Sequence, residues 1–128
     1  MKPKILVIED DIGHGQSLKF LLERKGAETQ VARDGAQGLV QARSYLPDLI
    51  LLDVLLPKIN GFELCKALKA DPATQNIPVV MMTGMDKMGD VEQGFEAGAN
   101  GYLIKPVEPE RLFKKISEFL PAFGQPQA

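Results

Sequence analysis

Residues 49–58 read LILLDVLLPK, an apolar run that contains one carboxylate, Asp53. The four apolar residues before the acid are typical of a short strand that is buried on both faces of a parallel sheet. A charged group that is buried without a partner costs free energy, so chains rarely place one in a core strand without a role. The rest of the sequence must therefore supply partners for Asp53.

Four more segments have the composition of β-strands, and helical patterns separate them. The predicted strands are KILVIE (4–9), ETQVA (28–32), DLILLD (48–53), IPVVMMT (77–83) and NGYLIK (100–105). Asp34 and Asn60 stand where helices should begin, and Gly26 stands where the first helix should end. Strands that alternate with helices predict a parallel sheet covered on both faces. We predict an α/β fold: an open, doubly wound, five-stranded parallel sheet with the flavodoxin-like strand order 2-1-3-4-5 and five helices.

The composition fits a single globular domain in a reducing compartment. The chain has 128 residues, and 45% of them are hydrophobic. We predict one domain at residues 1–121 and a flexible tail, or the start of a linker, at residues 122–128. The single cysteine, Cys65, excludes an intrachain disulfide and fits a cytoplasmic location.

The charge pattern and the first apolar run limit the partners that this domain should have. The formal net charge is −2, without a block of like charges, so we expect no direct nucleic-acid binding by this domain and no membrane surface as its partner. The first apolar run, residues 5–8, is too short for a signal peptide or a membrane span.

Polar residues follow four of the five predicted strands, always at the carboxyl end. They are Glu9, Asp10 and Asp11 after the first strand, Asp53 at the end of the third, Thr83 after the fourth and Lys105 after the fifth. Each has an ordinary explanation when taken alone. Because the carboxyl ends of parallel strands share one edge of the sheet, where ligands bind, we expect five of these side chains to converge: Glu9, Asp10, Asp53, Thr83 and Lys105.

Such a cluster has a definite chemistry. Three carboxylates and one ammonium leave an excess of negative charge, which a hard cation such as Mg²⁺ would stabilise. Asp53 could then attack phosphorus as a nucleophile, because carboxylates form aspartyl phosphates. Lys105 and the hydroxyl of Thr83 would hold the phosphoryl oxygens, and phosphoryl transfer depends mainly on such positioning and charge neutralisation.

The sequence resembles the receiver domain of two-component response regulators over residues 4–120. The resemblance rests on ILVIEDD (5–11), LILLDVLLPKING (49–61), VVMMTG (79–84) and GANGYLIKP (98–106). It implies a signalling switch rather than a turnover enzyme. The switch would accept a phosphoryl group from a sensor histidine kinase or a histidine phosphotransfer protein, and would control a downstream effector protein or domain.

The resemblance also implies a magnesium site. Asp53 would be the phosphoacceptor and, with Asp10, a ligand of Mg²⁺. Glu9 would act mainly through water, and the backbone carbonyl of Leu55 would be a further ligand.

The resemblance further implies how the phosphoryl group changes the protein. Thr83 is similar to the switch hydroxyl of the family, Tyr102 to the coupled aromatic residue, and Lys105 to the lysine that contacts phosphate. Thr83 would move to bond a phosphoryl oxygen, Tyr102 would turn inward, and the face made by the fourth helix, fifth strand and fifth helix would change. The Lys105–Pro106 peptide bond is expected to be cis.

Leu55, Met85 and the last two elements bear on the lifetime of the phosphoryl group and on assembly. Leu55 and Met85 place apolar side chains beside the site, and such groups cannot position a water by hydrogen bonds. We therefore expect slow self-dephosphorylation. The last two elements lack much of the charge pattern of receivers that pair through that face, so dimerisation there is not expected. The only histidine, His14, is predicted to lie in a solvated loop.

Other functions remain open at the level of sequence. One is an unphosphorylated interaction module of the same fold. Another is an aspartate-nucleophile phosphatase, which would want a second acid two residues after Asp53, where Leu55 stands. A flavodoxin-like cofactor binder would need a phosphate-binding loop instead of Glu9 and its acidic neighbours. A dinucleotide loop would need a third glycine where Leu18 stands.

Overall fold

A computed structural model of the chain describes residues 2–54, 56, 60–84 and 88–124, and for residues 88–91 it describes the backbone alone. Within these residues, strands and helices alternate. The strands are β1 (Lys4–Ile8), β2 (Glu28–Ala32), β3 (Leu49–Asp53), β4 (Val79–Thr83) and β5 (Gly101–Ile104). The helices are α1 (Ile12–Arg24), α2 (Gly35–Tyr45), α3 (Gly61–Ala70), α4 (Met88–Glu96) and α5 (Pro109–Phe119).

The five strands form one parallel sheet in the order β2-β1-β3-β4-β5. The predicted α/β fold, with its flavodoxin-like strand order, is therefore confirmed. Every residue of β3 and β4 is buried, as expected for central strands covered on both faces. In this register Ile8 lies beside Leu52 and Thr83 beside Ile104, so the strands end along one edge.

Alternate residues of the central strands β1, β3 and β4 face two separate hydrophobic layers. Ile8 and Leu52 pack in the layer under α2, α3 and α4, whereas Val7 and Leu51 pack in the layer under α1 and α5. Burial on both faces therefore fixes the positions of the residues that end the central strands, Asp53 and Thr83.

Side-chain caps begin three of the helices. Asp11, Asp34 and Asn60 each accept a hydrogen bond from the backbone N–H three residues later, at 2.8–2.9 Å. Such caps stabilise a helix by about 1 kcal/mol. Two of them, Asp34 and Asn60, were predicted. Gly26 has a φ of 89° just after α1, a conformation that favours glycine, and this agrees with its predicted role as a helix stop.

The fold continues past the predicted end of the domain at residue 121. Phe123 is 3% exposed, and its ring centroid lies 5.9 Å from that of Phe113. The backbone N–H of Phe123 donates to the Leu120 carbonyl at 2.9 Å. Part of the segment expected to be a tail is thus packed against the core, because the side chain of Phe123 lies in the hydrophobic layer under α1 and α5. The last predicted tail residues, 125–128, lie outside the described residues.

In the described part of the chain, no helix combines the length and the apolar character needed to cross a membrane.

Candidate functional site

Three carboxylates meet at the carboxyl edge of the sheet. Glu9 and Asp10 directly follow β1, and Asp53 is the last residue of β3. One carboxylate oxygen of each residue lies within 4.8 Å of the other two. Glu9 is 1% and Asp53 3% exposed, whereas Asp10 is exposed to solvent. The cluster therefore opens to solvent on the side of Asp10.

Lys105 places its ammonium group at this edge, as the sequence predicted. Its Nζ lies 2.9 Å from Asp53 Oδ2 and 3.5 Å from Glu9 Oε1. Its backbone N–H donates to the Thr83 carbonyl at 2.7 Å, which fixes the residue at the end of β5. The Lys105–Pro106 bond is cis, as expected. Burial lowers the pKa of Lys105, but the hydrogen bond and charge of Asp53 outweigh it and raise that pKa.

The electrostatics of the cluster favour a cation. Burial, together with the hydrogen bond and the charge of Asp53, raises the pKa of Glu9 to about 7. His14 and Lys105 oppose this shift without cancelling it. A buried carboxylate resists ionisation beside a second one, and a divalent cation would remove that resistance. Clustered carboxylate oxygens are the hard ligands that Mg²⁺ prefers, so the residues present fit this ion.

The two residues of the predicted switch line one cavity. Thr83 is the last residue of β4 and is buried, and Tyr102 lies half-buried on the neighbouring strand β5. Both contribute to the wall of a small cavity under α4, with Phe95. The ring of Tyr102 meets that of Phe95 edge-on, with centroids 5.8 Å apart and planes at 87°. Thr83 thus shares a cavity with an aromatic pair that reaches the surface, because Phe95 is exposed.

Two residues named in the sequence analysis, Leu55 and Met85, lie outside the described residues. At the start of α3, the backbone N–H of Gly61 donates to the Val54 carbonyl at 2.9 Å. A Cβ at Gly61 would lie 2.6 Å from the Asp53 carbonyl oxygen. The close approach requires glycine at this position and ties the start of α3 to the end of β3.

The structure corrects the prediction for His14. Instead of lying in a solvated loop, His14 belongs to the first turn of α1, and its side chain is 30% exposed. Its Nδ1 is hydrogen-bonded to Oε1 of Glu9. The available signal was the cap at Asp11, which places His14 in the first turn of the helix that directly follows β1.

A family comparison agrees with this geometry. The family model described as "Response regulator receiver domain" matches residues 5–117. The chain belongs to the response regulator receiver family. A phosphorylation-dependent switch in two-component signalling is the role of this family, and response regulators act with histidine kinases and effectors. The predicted family is thus confirmed.

Individual receivers and regulators show the same similarity. The DNA-binding dual master transcriptional regulator RpaA of Synechocystis sp. is 40% identical over 118 residues, which are 92% of this receiver and 49% of RpaA. This receiver thus spans about half the length of that relative. The chemotaxis response regulator CheY4 of Vibrio cholerae superposes with a TM-score of 0.88 at 31% identity, covering 93% of this receiver and 99% of CheY4.

A third similar protein bears on the acidic cluster. The receiver domain of sensor histidine kinase PA1611 from Pseudomonas aeruginosa has a TM-score of 0.87 and 26% identity, covering 94% of this receiver and 99% of that domain. That structure has a magnesium ion coordinated in its active site cleft. Receivers bind Mg²⁺ at an acidic pocket, and Glu9, Asp10 and Asp53 form an acidic group of this kind.

Proposed function

We propose that Asp53 accepts a phosphoryl group from a sensor histidine kinase or a histidine phosphotransfer protein, and that this step requires Mg²⁺. The observation that carries the proposal is the convergence of the Glu9, Asp10 and Asp53 carboxylates with the ammonium of Lys105 at one edge of the sheet. Family membership supports the same role. The phosphatase alternative lacks this support, and its second acid is replaced by Leu55.

In the proposed site, Asp10 and Asp53 would ligate Mg²⁺ directly. The backbone carbonyl of Leu55 would be a third ligand, and Glu9 would act through a water. The bound cation supplies neutralisation of the carboxylates and of the phosphoryl oxygens.

The transfer itself is a substitution at phosphorus. A carboxylate oxygen of Asp53 forms the new bond, the phosphorus–nitrogen bond of the donor's phosphohistidine breaks, and its electron pair stays on the imidazole nitrogen. Lys105, which holds Asp53 Oδ2 in the unphosphorylated protein, is placed to contact a phosphoryl oxygen afterwards. Positioning and charge neutralisation supply most of the catalysis in reactions of this kind.

The cavity under α4 supports a proposal for the output of the switch. The phosphoryl group adds negative charge and strong acceptor oxygens. Thr83 would donate its hydroxyl hydrogen to one of them, and Tyr102 would turn toward the space that Thr83 leaves. This movement would separate Tyr102 from Phe95 and alter the face of α4, β5 and α5, which we propose contacts the effector protein or domain.

Several finer points belong to the same proposal. The protein assists its own phosphorylation and dephosphorylation but turns over no external substrate. The apolar Leu55 and Met85 support a slow loss of the phosphoryl group. The net charge of −2 supports an effector step without direct nucleic-acid binding by this domain. A single cysteine supports a reducing, cytoplasmic location.

Intact mass after incubation with acetyl phosphate and Mg²⁺ tests the proposal. We expect the wild-type chain to gain one phosphoryl group and to lose this gain in the presence of a chelator. Asp53→Asn should abolish the gain, because the amide is not a nucleophile of comparable strength. The matched control is Asp48→Asn, the same change at the opposite end of β3, which should leave the gain intact. A wild-type chain that gains nothing would favour the unphosphorylated interaction module.

A further inference from the structure

The carboxylate of Glu9 is held on both of its oxygens. Oε1 is bonded to His14 Nδ1 and lies 3.5 Å from the ammonium of Lys105. Oε2 accepts a hydrogen bond from the backbone N–H of Asp11 at 3.3 Å. Oε1 is thus engaged by two side chains, and the Glu9 carboxyl is also hydrogen-bonded to Asp53.

The position of His14 is itself fixed by the start of α1. Its backbone N–H donates to Asp11 Oδ1 at 2.9 Å, which makes Asp11 the cap of the helix. The next residue, Gly15, is buried, and a Cβ there would lie 3.9 Å from the Cβ of Glu9 and 3.1 Å from Val31. The first turn of α1 therefore lies beside Glu9 and Val31, and the imidazole reaches the carboxylate from this turn.

We propose that His14 is a positioning residue for the cation site. Its hydrogen bond to Oε1 sets the orientation of the Glu9 carboxylate, through which Glu9 would hold a water bound to the cation. This inference rests on the proposed function, because it assigns His14 a part in the Mg²⁺ site. Nδ1 donates to an ionised carboxylate as the neutral Nδ1–H tautomer and as the imidazolium, so the role requires no change of protonation.

The expected effect is on cation affinity. Loss of a group that orients a direct ligand of a metal typically weakens metal binding by about 10- to 100-fold. Because Glu9 would act through a water, the effect of His14 should lie at the lower end of this range. A histidine that only filled space beside Glu9 would contribute to folding stability but would not set the affinity for the cation. The two roles are therefore separable by experiment.

Two substitutions at His14 separate the hydrogen bond from packing. His14→Asn keeps an N–H donor close to the position of Nδ1, whereas His14→Leu keeps the bulk and removes the donor. The readout is the Kd for Mg²⁺ of the unphosphorylated chain, from amide chemical shifts during a titration with MgCl₂. Thermal unfolding of each variant without Mg²⁺ reports the structural effect separately. Gln16→Leu, at an exposed position of the same helix, is the control.

We expect His14→Leu to raise the Kd by about tenfold and His14→Asn to stay within about threefold of wild type. A Kd for His14→Leu within twofold of wild type would overturn the inference while leaving the proposed function intact. Equal weakening by Leu and Asn would also overturn it, because the donated hydrogen bond would then not be the cause. A wild-type chain that binds no Mg²⁺ would instead refute the proposed function together with this inference.

Discussion

Gly61 lies against the end of β3 so closely that a side chain does not fit between them. A Cβ there would be 2.6 Å from the Asp53 carbonyl oxygen and 2.8 Å from the Cα of Val54. Both of these atoms belong to the backbone, which cannot move aside as a flexible side chain would. The geometry of the proposed phosphoacceptor thus depends on a residue that carries no functional group.

The substitution Gly61→Ala should therefore destabilise the protein. We expect a loss of about 1–3 kcal/mol in the free energy of unfolding, the usual cost of overpacking, measured by urea denaturation. Gly13→Ala is the matched control, because a Cβ at Gly13 meets nothing closer than an Asp11 carboxylate oxygen at 3.4 Å. In a helix this control should be neutral or stabilising by up to about 1 kcal/mol. Equal destabilisation by both changes would contradict the close-contact explanation.

Individual site residues differed in how well the sequence could predict them. Glu9, Asp53 and Lys105 end or follow strands, and the geometry of a parallel sheet brings such positions together. His14 was missed because its role depends on a side chain that reaches back from a helix to the preceding strand. A lone histidine beside glycines gives no periodic signal, so only the capped start of α1 could have indicated its direction.

The elements β4, α4 and β5 meet around Thr83 and Tyr102. Both residues line the cavity under α4, and Phe95 of that helix meets Tyr102 edge-on. In the proposed switch, the hydroxyl of Thr83 is the part that senses the phosphoryl group. Removing that hydroxyl should uncouple Tyr102 from Asp53 without emptying the cavity.

Beryllofluoride, which mimics a phosphoryl group on a carboxylate, tests this coupling. With Mg²⁺ and beryllofluoride, we expect the ring signals of Tyr102 to shift in NMR spectra of the wild-type chain. In Thr83→Val, a change of similar shape, the mimic should still bind while Tyr102 shifts much less. Tyr45 is the internal control, because its hydroxyl donates to Glu28 at 2.7 Å, away from this cavity. Unchanged Tyr102 signals in the wild-type chain would argue against the switch.

The helices and strands were largely predictable because their patterns are strong. Buried parallel strands are continuous apolar runs, and β3 and β4 are clear examples. The turn after α5 was not predictable in the same way. Phe123 stands alone between proline, alanine and glycine residues, without the periodicity that marks a core face. Its burial becomes evident only when α1 and α5 are seen side by side.

The molecule as a whole combines a sheet whose central strands β3 and β4 are buried with a cluster of acids at one edge. Five charged or titratable groups face each other there: Glu9 and Asp10 after β1, His14 on α1, Asp53 on β3 and Lys105 after β5. The pKa of Glu9 is raised from 4.5 to about 7, chiefly by burial and then by Asp53. Between these two values the folded chain holds a proton that the unfolded chain has lost.

Without a divalent cation, the stability of the protein should therefore fall as pH rises from about 4.5 to about 7 and then level off. The contribution of Glu9 to this fall is on the order of 3 kcal/mol. Urea denaturation in the presence of EDTA at a series of pH values measures the effect.

The comparison variant is Glu9→Gln, which removes the titrating group. Between about pH 4.5 and 7, the free energy of unfolding of the wild type should fall relative to that of Glu9→Gln as pH rises. Parallel pH curves for the two proteins would show that Glu9 does not hold its proton in the folded state.

The edge-on contact of Tyr102 with Phe95 also bears on how partner binding at this surface affects phosphorylation of Asp53. Coupling between two sites is reciprocal, because binding free energies around a closed cycle must sum to zero. If the orientation of Tyr102 depends on the phosphoryl group, phosphorylation changes the affinity for a partner that covers Phe95 and prefers one orientation. That partner must then shift the phosphorylation equilibrium of Asp53 by the same factor. An effector that binds the Tyr102–Phe95 pair in this way therefore also changes the equilibrium for phosphorylation of Asp53.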